Sequence, residues 1–364
     1  MSVPAFMNAP TVSAAIEQER NNFTLIRLLL ALAVVVSHAF SVTTGIVADE
    51  PLAVPTGFTL GEHAVNGFFA ISGFLVTMSF DKRGWLDYTI ARTLRIAPGL
   101  IVAVLVVALL LGGAMTRLPF AEYLENAGLS RFIVATLTTF KTNIALPGVF
   151  ADNPFKFPMG TVWTLKYEVL CYAGVLLLGL AGLLRSRIGA LVLVAGLMIA
   201  MASLDLLRPD APKGLETAIR LPLIFAVGGA LYVWRGRARL SGVLVLALAF
   251  ATWLSADTFF YKTLLFVGSA YGVLWLALTP LLTRFAYEPR ADLSYGTYLY
   301  GWPIQQSLHA LWPSAAAITL LAPALAITLA MAALSWYLVE KPALALKARA
   351  LGRRTLKTIE PAAP

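Results

Sequence analysis

The sequence contains few charged residues and almost no cysteine. Asp, Glu, Lys and Arg make up only 13% of its 364 residues, whereas 59% of the residues are hydrophobic. A soluble domain of this length cannot bury so much apolar surface, so the composition excludes a soluble globular protein and indicates a membrane protein. Cys171 is the single cysteine, which excludes an internal disulfide and a zinc–cysteine cluster. We therefore predict no metal site.

The apolar runs are continuous over membrane-length segments, which is typical of spanning helices and unlike the alternation of a β-barrel. We predict an all-α, polytopic integral membrane bundle. Its ten expected spans are residues 24–41, 64–80, 98–115, 162–184, 188–207, 217–234, 240–255, 259–283, 294–312 and 315–340. We expect no cleavable signal peptide, because the polar stretch 2–22 precedes the first span without a small-residue cleavage site.

The distribution of the basic residues predicts the orientation of the bundle. The formal net charge is +9. If the N-terminus is cytoplasmic, most Lys and Arg residues fall in inner segments, as the positive-inside rule requires, and both termini are cytoplasmic. This charge excess needs no nucleic-acid partner. We divide the chain into a polar N-terminal segment (1–22), a transmembrane domain (23–342) and a basic cytoplasmic tail (343–364). Residues 131–147, in a long outer connection, are interpreted as a re-entrant or interfacial piece, since an eleventh span there spoils the charge bias.

Two ionisable residues lie in the first span, where such residues are costly and often functional. Arg27 and His38 are eleven residues apart, so they share one helical stripe at a separation of about 16 Å. Arg27 is placed near the inner face and His38 near the outer face. This layout suits a reaction whose two substrates arrive from opposite sides. The alternative is that Arg27 extends to the headgroups and His38 is a satisfied interior histidine.

Further polar residues are candidates for ligand contact. Arg92 and Arg95 share one face of an expected amphipathic interfacial helix that ends at Pro98, and paired guanidinium groups match phosphate oxygens. They contact lipid headgroups in the alternative interpretation. Ser72, beside Gly73, either contacts a ligand or belongs to a small-residue packing face.

A carboxylate is predicted inside the fourth span. Glu168 is placed in the outer part of the membrane, where it can form a histidine–carboxylate pair with His38 if the two helices are neighbours. Glu340, at the inner end of the tenth span, is expected to pair with an inner-face arginine. His63 and His309 are weaker candidates, because neither has an arginine on its helical stripe.

The ninth span combines polar and aromatic residues. Pro303 is expected to kink its helix, and Gln305 and Gln306 supply uncharged hydrogen-bonding groups at mid-depth. Tyr298 lies near the inner interface, where an aromatic belt is common.

In this order, these pieces resemble the membrane-bound acyltransferase-3 family. The resemblance spans residues 27 to 342. It rests on the Arg27–His38 spacing and on FFAISGF (68–74), RTLRIAP (92–98), WTLKYE (163–168), SYGTYLYGWP (294–303) and YLVEKP (337–342). One position departs from the family pattern, since many members have a histidine where this chain has Gly301.

The resemblance implies transfer of an acyl group, expected to be acetyl, from cytoplasmic acyl-CoA to an extracytoplasmic sugar. The acceptor class includes exopolysaccharide, O-antigen and lipo-oligosaccharide. Arg27, Arg92 and Arg95, with Ser72 and Tyr298, are then expected to bind acyl-CoA.

His38 is implied as a general base or a transient acyl carrier, with Glu168 as its orienting partner or a sugar ligand. The expected location is the bacterial inner membrane, with envelope polysaccharide assembly proteins as possible partners. The form resembled is the standalone one, without the C-terminal esterase-like domain of some members, so transfer finishes within the bundle or on a separate protein.

Two other classes of function remain open at this point. A secondary transporter of a sugar or lipid intermediate also has many spans and few buried charges, but the sequence shows no convincing inverted repeat. A non-catalytic scaffold for envelope assembly does not need Arg27 and His38 on one stripe.

Overall fold

The computed structural model describes residues 9–17, 21–279, 289 and 291–350, with side chains up to residue 346. These residues form helices and no β-strands, so the predicted all-α fold is confirmed. Seven helices in the described ranges are long and apolar enough to cross a membrane. The outer parts of the predicted terminal segments (residues 1–8 and 351–364) lie outside the described residues.

Within the described residues, each of the ten predicted spans falls on a helix, and positions 280–283 of the eighth span lie outside those residues. We number these helices in chain order: α1 (Phe23–Thr44), α2 (Leu60–Arg83), α3 (Trp85–Leu105), α4 (Thr164–Leu180), α5 (Arg187–Leu207), α6 (Lys213–Val233), α7 (Gly242–Leu254), α8 (Tyr261–Leu278), α9 (Ser294–Leu311) and α10 (Ala317–Ser335). Short helices at Val12–Ile16, Ala53–Thr56, Phe120–Glu125 and Ala127–Thr139 accompany them. The number of spans and the side of each terminus remain predictions.

The helix α3 differs from the prediction at its N-terminal end. We expected an interfacial helix that stops at Pro98, but one helix starts at Trp85 and runs through Pro98. It continues through a π-helical turn at Val106–Leu111 to Gly112–Met115. Tertiary contacts support the helix beside the proline, because the Tyr295 hydroxyl donates to the Ile96 carbonyl at 2.9 Å. Such contacts outweigh the tendency of proline to break a helix, and the sequence alone does not reveal them.

The helices α1 and α2 run antiparallel at the centre of the bundle. Gly61, near the start of α2, donates its backbone N–H to Ser37 on α1 at 2.8 Å, so α2 begins at the level of His38. We therefore speak of the His38 end and the Arg27 end of the bundle. A Cβ on Gly73 would lie 2.0 Å from the Phe225 carbonyl oxygen, so α2 packs backbone-close against α6. Gly73 thus serves helix packing, and Ser72 points elsewhere.

The helix in the connection between α3 and α4 is shorter than a membrane span, which agrees with a re-entrant or interfacial piece. Ala127–Thr139 is a helix of 13 residues, and a spanning helix needs about 20. Residues 150–161 then run without regular structure along α9. Asn153 donates to the Gln306 carbonyl at 2.9 Å, and Thr161 donates to the Tyr298 carbonyl at 2.9 Å. The chain thus descends about two helical turns along α9 before α4 begins.

Candidate functional site

A cavity of about 110 Å³ lies among α1, α2, α3, α4 and α9. Six of the seven candidate site residues line it, so these separate stretches of sequence converge on one cavity. The six are Arg27, Ser72, Arg92, Arg95, Glu168 and Tyr298. His38 does not line this cavity. In apolar spans, polar side chains face the interior, and this constraint brings them together.

A carboxylate that we did not predict forms ion pairs with two of the cavity arginines. Asp292, two residues before α9, accepts hydrogen bonds on one oxygen from Arg27 at 2.7 Å and from Arg95 at 2.8 Å. Burial raises the pKa of Asp292, but the charges of Arg27 and Arg95 and the hydrogen bonds from Ser294 outweigh burial, so the pKa lies well below its usual value. The carboxylate is therefore ionised at neutral pH. The expected pairing of Glu340 is also present, since its carboxylate lies 3.7 Å from Arg95.

Arg92 is the cavity arginine that has no carboxylate within 4 Å among the described residues. Its guanidinium carbon lies 5.7 Å from the centre of the Tyr172 ring. Its Nε is buried and has no hydrogen-bond partner among the described residues. A buried donor without a partner is costly, so Arg92 is best placed to gain from an incoming anion.

Glu168 is on the cavity wall and is not the partner of His38. The Tyr172 hydroxyl donates to its carboxylate and lies 3.4 Å from the Ser72 hydroxyl. The expected depth of Glu168 was wrong, because α4 begins deep in the bundle. At that level the Thr164 hydroxyl lies 2.5 Å from the Tyr298 hydroxyl. The non-regular descent of residues 150–161 causes this displacement toward the Arg27 end.

The carboxylate partner of His38 is Glu50. Glu50 Oε1 lies 3.0 Å from His38 Nδ1 and also accepts from Ser41 at 2.5 Å, while Oε2 accepts from Ser37 at 2.5 Å. The chain reverses at Gly45, which caps α1 with φ +76°, a conformation that favours glycine. Glu50 thereby folds back onto the helix that carries His38.

The environment of Glu50 fixes its charge and orients the imidazole. Burial raises the pKa of the Glu50 carboxyl, but the hydrogen bond and charge of His38 and the two serine hydroxyls lower it to about 2. An ionised acceptor at Nδ1 favours the tautomer that carries its proton there, which leaves Nε2 as a base. The His38 side chain is 23% exposed, and Nε2 has no hydrogen-bond partner among the described residues.

An aromatic wall separates His38 from the cavity. The Trp302 ring meets the imidazole edge-on, with centroids 5.1 Å apart, and stacks on Phe157 at 5.3 Å. One turn along α9, Tyr298 faces Phe68 at 6.4 Å, and both line the cavity. Val65 also lines the cavity and lies one turn from Gly61, so the cavity ends about 6 Å short of the level of His38.

The two other histidines do not line the cavity. His63 bonds to the Thr56 hydroxyl at 2.9 Å, and His309 is only 6% exposed. The glutamines are bound as well: Gln305 donates to the Val35 carbonyl at 2.7 Å and Gln306 to the Phe155 carbonyl at 2.8 Å. The predicted polar groups of the ninth span thus join α9 to its neighbours.

The structure explains why this chain has glycine at position 301. A Cβ on Gly301 would lie 2.7 Å from Val35 Cγ2, so α1 and α9 touch at this point. A histidine side chain has no room there unless the helices separate. Glycine therefore allows the close approach of α1 and α9 that also brings Trp302 to His38.

We expect Gly301→Ala to destabilise the protein by about 1–3 kcal/mol, the usual cost of overpacking. The thermal unfolding midpoint of the detergent-purified protein measures this effect. Val35→Ala/Gly301→Ala should recover most of the loss, because the first change removes the opposing methyl groups. A single Gly301→Ala variant as stable as the wild type contradicts the predicted contact.

Comparison with known proteins agrees with the resemblance noted in the sequence. Residues 20–340 match the family model described as an acyltransferase domain. Nodulation protein 10 of Rhizobium leguminosarum bv. viciae is 30% identical over 367 residues, covering 92% of this chain and 96% of that protein. An O-acetyl transferase of Shigella phage Sf6 is 24% identical over 341 residues, covering 88% and 95%. No solved structure matches the chain.

Proposed function

The chain belongs to the acyltransferase-3 family and is a membrane O-acyltransferase, and we propose that it transfers an acyl group from cytoplasmic acyl-CoA to a hydroxyl of an extracytoplasmic sugar. One observation carries the proposal. Helix α1 presents Arg27 to the cavity at one end and holds His38 against Glu50 at the other. A single rigid element thus connects an anion-binding group to an oriented base.

The donor site is assigned to the cavity at the Arg27 end. Ligand pockets for drug-sized molecules measure about 300–1,000 Å³, so 110 Å³ suits only a slender part of a ligand, such as the pantetheine arm. The phosphates then remain at the mouth. Arg92 has a hydrogen-bond donor without a partner there. Arg27 and Arg95 already bond to Asp292, so they must either bind the phosphates and Asp292 together or release Asp292.

Glu168 receives a new role in this proposal. Its carboxylate, with the hydroxyls of Ser72 and Tyr298, lines the path of the arm. Pantetheine carries amide N–H groups and a hydroxyl, and a partly buried carboxylate is a strong acceptor for such donors. Glu168 therefore positions the donor and does not orient His38.

The chemistry is assigned to His38 with Glu50. Nε2 removes the proton of the acceptor hydroxyl while the oxygen attacks the thioester carbon, so an ester C–O bond forms and the C–S bond breaks. The CoA thiolate takes up a proton. In the second form of the step, Nε2 attacks the thioester carbon, so a C–N bond forms as the C–S bond breaks. The acceptor hydroxyl then displaces the imidazole, which takes up the hydroxyl proton as the C–O bond forms. Either form requires the thioester to pass Phe68 and Tyr298.

The acceptor and the membrane are assigned by class. One relative is named an O-acetyl transferase, which supports acetyl as the transferred group. Exopolysaccharide, O-antigen and lipo-oligosaccharide are the expected acceptors. The basic residues favour the orientation with the Arg27 end in the cytoplasm, and the bacterial inner membrane is the proposed location. Envelope polysaccharide assembly proteins are proposed as partners that deliver the glycan.

Proteoliposomes with labelled acetyl-CoA on one side test this function. Glycans isolated from a strain that lacks this protein are placed on the other side as acceptors. We expect label in the glycan only when donor and glycan face opposite ends of the bundle. Transport of the glycan without labelling supports a transporter, and neither labelling nor transport supports a scaffold.

Arg92→Gln should raise the KM for acetyl-CoA by about tenfold, because one charge-assisted bond to phosphate is worth about 1.5–3 kcal/mol. We expect kcat to change little, since Arg92 is far from the reacting bond. Arg83→Gln is the matched control, because Arg83 is exposed at the same end of the bundle and does not line the cavity. Equal KM values for the wild type and Arg92→Gln remove Arg92 from the donor site.

A further inference from the structure

A second pocket, of about 370 Å³, lies at the Arg27 end of the bundle where α2 and α6 end and α5 begins. It shares no lining residue with the cavity described above. Val76 lines the cavity and Thr77 lines this pocket, so the two spaces lie on different faces of α2. Its lining residues are Thr77, Asp81, Leu184, Arg185, Arg187, Tyr232, Val233 and Arg235.

The pocket has more positive than negative charge. Three guanidinium groups line it together with a single carboxylate, that of Asp81. Arg185 donates to one Asp81 oxygen at 2.7 Å, and Arg235 lies 3.6 Å from the other. Arg187 has no carboxylate within 4 Å in the described part of the chain. The uncompensated charge favours an anion, and guanidinium groups match phosphate oxygens.

The surface beside the pocket is apolar. Leu180, Leu183 and Ile188 are 60%, 56% and 75% exposed and lie on the chain segments that lead into the pocket. In a membrane protein, such side chains contact lipid tails. Trp234 lies beside the pocket, 5.8 Å from the Arg187 guanidinium carbon, and tryptophan is enriched at the boundary between tails and headgroups. A ligand here therefore meets charge at one end and hydrocarbon at the other.

We propose that this pocket binds the headgroup phosphate of an anionic phospholipid, whose acyl chains lie along Leu180, Leu183 and Ile188. Basic pockets between helices at the cytoplasmic side bind such headgroups. Volume, charge and the adjacent apolar surface together favour a lipid over a soluble phosphate compound. The inference rests on the membrane location of the chain and not on the transfer reaction, so each can fail without the other.

Native mass spectrometry of the full chain from nanodiscs tests the site. The nanodiscs contain phosphatidylglycerol and phosphatidylcholine in equal amounts. We expect the wild type to retain phosphatidylglycerol preferentially. Arg187→Gln should lower this retention about fivefold, since a basic residue near a membrane surface is worth about 1 kcal/mol. Arg208→Gln, at the opposite end of α5, is the control and should retain the wild-type amount.

Two further measurements decide the source of the phosphate. Saturating glycerol 3-phosphate or CoA should leave phosphatidylglycerol bound, because neither supplies acyl chains. Displacement by CoA, with weaker CoA binding in Arg187→Gln, identifies a nucleotide site and overturns the lipid proposal. Equal retention of the two lipids by the wild type overturns it too. Unfolding midpoints in phosphatidylcholine nanodiscs should agree between wild type and Arg187→Gln, which shows that the variant folds.

Discussion

His38→Ala should lower kcat for glycan acylation by about 10²–10⁴-fold, the usual contribution of a positioned general base. Nε2 is the atom expected to act as the base, because Nδ1 is held by Glu50 at 3.0 Å and Nε2 has no partner in the described residues. The measurement is the initial rate of label transfer in proteoliposomes at saturating acetyl-CoA. The KM for the donor should stay within a factor of about two, since His38 does not line the donor cavity.

The matched control for this prediction is another histidine near the same end of the bundle. His63→Gln changes a residue near the start of α2 that bonds to Thr56, and it should retain wild-type kcat. A His38→Ala variant that is folded, inserted and still active removes His38 from the mechanism. Mass spectrometry of the quenched wild-type enzyme separates the two forms of the step, since an acyl carrier leaves a labelled His38 and a base does not.

The sequence predicted the helices because membrane-length apolar runs are long signals that packing seldom overrides. The wrong boundary at Pro98 shows where such reasoning fails. Proline usually marks the start of a helix, but here the helix runs through Pro98, and Tyr295 of α9 bonds to the Ile96 carbonyl beside it. The depth of Glu168 was wrong for a related reason. No periodic pattern reveals that residues 150–161 descend along α9 before α4 begins.

The convergence of polar residues on the cavity at the Arg27 end was predictable, because polar groups within spans must face the interior and so meet one another. The partners of these groups were not. Glu50 and Asp292 lie in connections between helices, 12 residues from His38 and 265 from Arg27. Loop residues have no periodicity that gives their direction, so only the folded chain identifies them. For Glu50 alone, the available signal is an acidic residue close to the end of the span that carries a histidine.

Glu50→Gln should have an effect comparable in size to that of the loss of His38. The change keeps the side-chain shape but lets an amide N–H face Nδ1, which favours the opposite tautomer and protonates Nε2. In a histidine–carboxylate pair of this kind, a similar change lowers kcat by as much as about 10⁴-fold. We expect a loss of at least about 10²-fold in kcat with little change in the donor KM. Asp49→Asn, which alters the exposed neighbouring carboxylate, is the matched control and should be fully active.

The dependence of kcat on pH provides a further test of this prediction. The pKa of Glu50 is lowered from 4.5 to about 2 in the folded protein, so its ionised form stabilises the fold above about pH 4.5, and this contribution is lost as the pH falls toward 2. Wild-type kcat should therefore show no acidic limb from Glu50 above pH 4.5. Glu50→Gln should reduce kcat throughout the range from pH 6 to 8, because the carboxylate that it removes is ionised over the whole of that range. Wild-type kcat in Glu50→Gln, or an effect confined to the lower end of this range, contradicts a fixed anion that orients His38.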